Sequence, residues 1–289
     1  RAKLAPRLTV FVNQLTNFDP ADPIQGLARW AEPVCPSVTG LSEDMGEFVQ
    51  EHVVDAAQKA NVRLGGDKCR TNLYVLVSPQ PEPILRAMEK KNRTYTFGDA
   101  SQPLIDAFIQ DSRPIKVWYF TEERTPEGQP LIGYSMPEMG SNTEISTGNP
   151  AMGMGQDDSV HTFSNYNPGG TTHSNGANAW SQASHLRVNA VGAIYRVFVY
   201  IDRTKLHGAN IGQIADYVAM VGLAQIKPGA RLGDAPTILT LFSKGPQDAL
   251  PGMSSWDRVF LKSLYETDQQ TKMQRNDIAL DMVRAIAPQ

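Results

Sequence analysis

Five histidines, two cysteines and ten methionines are the imidazole, thiolate and thioether groups with which this chain of 289 residues could hold a soft or borderline metal. No two of His52, His161, His173, His185 and His207 stand four residues apart, so the zinc motif in which two imidazoles project from one helical face is missing. His161, His173 and His185 recur every twelve residues, with Asp157 and Asp158 nearby, and are a candidate ligand set. Even spacing in a loop has no geometric meaning of its own, so surface or hydrogen-bonding histidines are the plainer reading. Met136, Met139, Met152 and Met154 offer thioethers suited to Cu(I), although methionines more often serve packing. Serine catalysis lacks its tight Gly-x-Ser-x-Gly elbow, and no phosphate-cradling loop is present. Trp180 lies among Gly, Asn and Ser, where an indole could stack on a sugar or anchor a protein partner.

Cys35 and Cys69 each sit beside turn-forming residues, and pairing them is the expected use. A disulfide there places the chain in an oxidising compartment, periplasmic or extracellular. The first residue, Arg1, follows no methionine or apolar leader, as in a mature protein after signal-peptide removal or in a trimmed chain. A formal charge of -3 gives no basic footprint for nucleic acid. No apolar run approaches the ~20 residues that span a bilayer.

The elements that would position these groups follow from periodicity. Arg7 to Leu15 alternates Leu8, Val10 and Val12 with polar residues and predicts a strand; Ala21 to Pro33 predicts a short helix. From Ser42, a plausible N-cap, a helix should bury Met45, Phe48, Val49, Val53, Ala56, Ala57 and Ala60. Thr71 to Ser78 predicts a buried strand, Ile84 to Lys91 and Ser101 to Ser112 two helices, and Pro114 to Ser135 a hairpin. Ser135 to about Ser184 is crowded with Gly, Asn, Ser and Thr and predicts an ordered excursion, a partner-binding arm or a flexible insert. Around Tyr195 to Ile201 both alternating sets are apolar, the signature of a central strand buried on both faces. Ile211 to Ile226 is spaced as a buried helix. Ser254 and Asp257 predict a capping box, and Asn276 to Ala287 a last amphipathic helix. The fold class expected is α+β, a mixed sheet with packed helices. The sequence divides into three portions, 1–134, 135–184 and 185–289, with one continuous domain formed by the first and last as the alternative.

The order TNLYVLV, IYRVFVYID, IGQIADYVAMVGLAQI, PTILTLF and SSWDRVFLKSLYETD resembles a family of uncharacterised proteobacterial secreted proteins and lipoproteins that is itself similar to metzincin-like zinc peptidases. The resemblance covers roughly half of the chain, mainly Cys35 to Thr121 and Tyr195 to Asp268. In that family the helix reads His-Glu-x-x-Gln-x-Leu-Gly-Leu, and a later segment reads Asp-x-x-x-Leu-x-x-Leu-Tyr, matched here by Asp257, Leu261, Leu264 and Tyr265. Setting Val221, Gly222 and Leu223 on Leu-Gly-Leu puts Ala215 at the histidine, Asp216 at the glutamate and Ala219 at the glutamine. An alanine methyl cannot bind zinc. The resemblance therefore implies a degenerate metallopeptidase-like C-terminal half without hydrolysis. The expectation is a secreted or periplasmic binding or structural protein, with no cofactor and no catalytic residue. Its partner would be another protein, a second copy, or a component of the cell envelope at the outer membrane, met through residues 135–184. The alternatives are a metal-dependent hydrolase using His161, His173, His185 or His207, and a glycan- or copper-binding module.

Overall fold

The computed structural model describes residues 3–16, 26–125, 128, 171–174, 191–271 and 273–287. Its first element corrects the sequence reading: Leu4–Thr16 is a helix, α1. Leu8, Phe11, Val12 and Leu15 are buried at helical spacing, while Val10, which strict alternation turns inward, is 52% exposed. The helix expected over 21–33 is corrected too, because within it Arg29–Trp30 forms a strand, β1. Its partner is the first part of a strand far along the chain, through Arg29↔Ala193 and Trp30↔Ile194, so local periodicity held no trace of it.

The sheet contains β2 (Pro36–Thr39), β3 (Leu73–Ser78), β4 (Ile115–Arg124), β5 (Thr171–Ser174) and β6 (Val191–Asp202), in the order β2-β3-β6-β4-β5. β2, β3 and β6 run parallel, with β1 parallel to β6 beside β3, while β4 runs antiparallel to β6. The long apolar strand is central, as its pattern required. Ile194, Val197, Val199 and Ile201 enter one core, and Phe198 and Tyr200 enter a second on the opposite face. Strands from before and after residues 135–184 thus interleave in one sheet. The second strand expected for the hairpin, Gln129 to Ser135, lies outside the described residues.

On the first face lie α2 (Glu43–Lys59) and α5 (Ile211–Leu223), packed against each other. α1, α7 (Ser255–Glu266) and α8 (Gln274–Ile286) complete that core, where Phe11 meets Trp256 edge-to-face at 5.3 Å. The buried stripe of α2 is Val49, Val53, Ala56 and Ala57, so Met45 and Phe48 are corrected to the exposed side. Small side chains suit the close approach of α2 to α5, and the bulky Phe48 ring lies instead against His52 at 4.3 Å. On the second face α3 (Pro81–Phe97) and α4 (Gln102–Gln110) cover the sheet. Phe97 and Phe108 both meet Trp118 edge-to-face at 4.9 Å. This is an α+β fold built on a mainly parallel sheet.

Cys35 and Cys69 form a disulfide with Cα atoms 5.9 Å apart, tying the start of β2 to the turn before β3. Gly65 lies against this bond; a Cβ there would overlap Cys69. No helix among the described residues is long and apolar enough to cross a membrane. Both observations are compatible with a periplasmic or extracellular location. Replacing both cysteines by serine should lower the unfolding free energy by about 2–4 kcal/mol, the range expected for a loop of this length, and urea unfolding of the two proteins would measure it.

Candidate functional site

The helix positions singled out by the resemblance are committed to packing. Ala215 and Ala219 are fully buried in the first core. Asp216 is half-buried, and its Oδ2 accepts the Met253 backbone N–H at 2.6 Å. Gly222 lets α5 approach β3, since a Cβ there would press on the Leu73 side chain at 3.1 Å. Asn210 and Gln213 close a capping box at the start of the helix.

Its other end is unusual. The helix terminates inside the protein, and side chains from three elements reach its last carbonyls. Tyr119 of β4 donates to Val221 O at 2.8 Å, has Ala224 O at 3.1 Å, and accepts from Ile226 N at 3.2 Å. Trp30 of β1 donates from Nε1 to Gly222 O at 2.8 Å, and Tyr265 of α7 donates to Leu223 O at 2.6 Å. Burial pushes the phenols of Tyr119 and Tyr265 well above their ordinary value, so both stay protonated donors.

The segment matched to Asp-x-x-x-Leu-x-x-Leu-Tyr is equally structural. Leu261 and Leu264 are buried, and Tyr265 is the cap just described. Asp257, fully buried, closes the expected capping box with Ser254 and also accepts from Thr237 Oγ1 and Ile238 N. Burial pushes its carboxyl up, against these hydrogen bonds, which pull it down. Through Thr237 it fixes the 3-10 turn Ile238–Thr240 and the short helix α6 (Leu241–Lys244).

Those elements form one wall of a cleft of about 680 Å³. Ile115, Val117 and Tyr119 of β4 with Val221 and Ile226 make its apolar floor, and Leu239, Phe242 and Tyr217 line its side. Tyr217 and Phe242 meet edge-to-face at 5.4 Å. The opposite lip is the loop 226–233, pinned by Lys227 N to Leu15 O at 2.7 Å and by the buried Leu232. Arg113, Lys227, Arg231 and Lys244 contribute to the lining, and among the described residues no aspartate or glutamate does. Arg113 is held by Asp111, whereas Lys227, Arg231 and Lys244 enter no ion pair among the described residues. The combination can enclose an apolar body and attract negative charge.

The histidines do not join it. His52 lies half-buried on α2 and His207 is exposed in a turn with positive φ. His173 stands in β5 opposite Thr121, while His161, His185, Trp180 and the four clustered methionines lie outside the described residues. Among the described residues, no three His, Cys, Asp or Glu side chains converge as a metal site. A separate buried cation, Arg196, is sandwiched between Tyr95 and Phe120 with ring centroids at 4.2 and 4.3 Å. Its Nε and Nη2 have no hydrogen-bond partner among the described residues, and the ring faces supply the compensation.

Comparison with protein-family models, curated proteins and solved structures finds no match.

Two substitutions test the architecture of the site. Tyr119→Phe should cost about 1–3 kcal/mol of unfolding free energy, because it strands a buried carbonyl and a buried N–H. Asp257 accepts two backbone N–H groups at Oδ2 and the Thr237 hydroxyl at Oδ1, and Asp257→Asn leaves a single acceptor oxygen to serve both positions. A loss of about 2 kcal/mol or more is expected in denaturant unfolding, with the wall at Leu239 loosened in hydrogen exchange.

Proposed function

We propose that this is a non-catalytic binding protein of an oxidising compartment, built on a degenerate peptidase-like scaffold, whose ligand enters the cleft between β4, α5 and α6. One observation carries the reading: the cleft joins a continuous apolar floor to a polar rim that, among the described residues, holds neither a carboxylate base nor a Ser or Cys nucleophile paired with a histidine. Metal-dependent hydrolysis on α5 has the opposite problem. Ala215 and Ala219 are buried methyl groups, and Asp216 is already engaged by Met253. The periplasmic or extracellular assignment rests on the disulfide. The residues expected to meet a protein partner, 135–184, lie largely outside the described structure, whereas the cleft is framed by described elements.

A neutral, environment-sensitive fluorophore such as N-phenyl-1-naphthylamine tests this directly. It should bind saturably with one site per chain, and Leu239→Trp, which fills the cleft, should weaken it by tenfold or more, while Asp216→Ala binds as well as the parent. Absence of saturable binding, or cleavage of quenched peptides by the zinc-supplemented protein that Asp216→Ala abolishes, would refute the proposal.

A further inference from the structure

The charge around the cleft runs against that of the whole molecule. The chain has a formal charge of -3, yet among the described residues this concavity gathers four cations and no acid. Three of the four, Lys227 and Arg231 on the pinned loop and Lys244 at the end of α6, are without ion-pair partners among the described residues. Arg231 and Lys244 are exposed and Lys227 half-exposed, so the positive charge lies at the mouth. Below them the lining changes to buried aliphatic residues, with Ile115, Val117 and Ile226 on the floor. A ligand complementary to both layers has a negative head and an apolar tail.

Resting on the binding reading above, we propose that the cleft takes a single-chain amphiphile with a carboxylate head, a fatty-acid-like ligand, tail on the β4 floor and head between Lys227, Arg231 and Lys244. The volume of about 680 Å³ lies within the range of small-molecule sites, on the order of 300–1,000 Å³. A guanidinium presents a planar fork matched to a carboxylate, which the Arg231 head group provides. The loop that carries two of the three cations is held by the Lys227 N to Leu15 O bond and by the Ile226 N to Tyr119 Oη bond, so its charges face the mouth without a folding step on binding.

Calorimetric titration of the full chain with decanoate, decanol and decyltrimethylammonium separates the two layers. Decanoate should bind with one site per chain and about tenfold or more tighter than decanol, and the ammonium should bind worst; the gap should narrow as salt is raised. Relative to octanoate, each added methylene should tighten binding roughly three- to fourfold. The triple variant Lys227→Gln, Arg231→Gln, Lys244→Gln should lose the preference for decanoate while binding decanol as before. Decanol and decanoate binding equally well would overturn the carboxylate assignment and leave an apolar binding cleft. Failure of all three to bind would overturn the binding reading as well.

Discussion

A helix that ends in the interior of a protein needs donors for its last carbonyls, and α5 ends there. Tyr119, Trp30 and Tyr265 supply them from a sheet strand, a two-residue strand and another helix. Each donor is a large side chain on an element remote in sequence, so three long-range contacts converge on one turn of backbone. Leaving any of these carbonyls without a partner costs on the order of 1–3 kcal/mol, a large part of the 5–15 kcal/mol that typically separates folded from unfolded domains. The positions of β1, β4 and α7 are all tied to this point. β1 in particular has only two residues and little pairing of its own.

The cleft follows from that constraint. With Tyr119 capping α5, Ile115 and Val117 of the same strand form the buried bottom of the gap between the helix end and the loop that leaves it. The gap is roofed on one side by α6, held in place through Asp257 and Thr237, and on the other by the loop anchored to Leu15 at the end of α1. Asp257 and Tyr265, which the resemblance matches to the family's Asp-x-x-x-Leu-x-x-Leu-Tyr segment, are supports of this concavity.

Much of the architecture was legible before any coordinates. The central strand announced itself through apolar residues on both alternating sets, α5 through its spacing, the capping box through Ser254 and Asp257, and the disulfide through two cysteines in turn contexts. What escaped was long-range or ambiguous in period. Leu8, Val10 and Val12 satisfy a two-residue repeat while Leu8, Phe11, Val12 and Leu15 satisfy a helical one, and only packing against Trp256 decides between them. Arg29 and Trp30 are a strand solely because β6 is there to pair with. The cleft was hidden for the same reason, since its floor and lip come from segments a hundred residues apart in sequence. A faint signal existed in IKPGARLG, a Gly- and Pro-containing loop with two cations in an acidic chain. Histidines and a tryptophan in a polar stretch are conspicuous in a sequence by residue type, whereas a charge-lined hollow exists only once distant segments have met.

The bond between Cys35 and Cys69 closes a ring that contains β2 and the whole of α2. A protease that cuts once anywhere between those two cysteines leaves the chain in a single covalent piece. The severed ends stay tethered beside β3, and α2 can return to its place against α5. The helix that shields the first core is thus the part of the molecule best protected against loss by nicking, a durability that sequestration by packing alone would not provide.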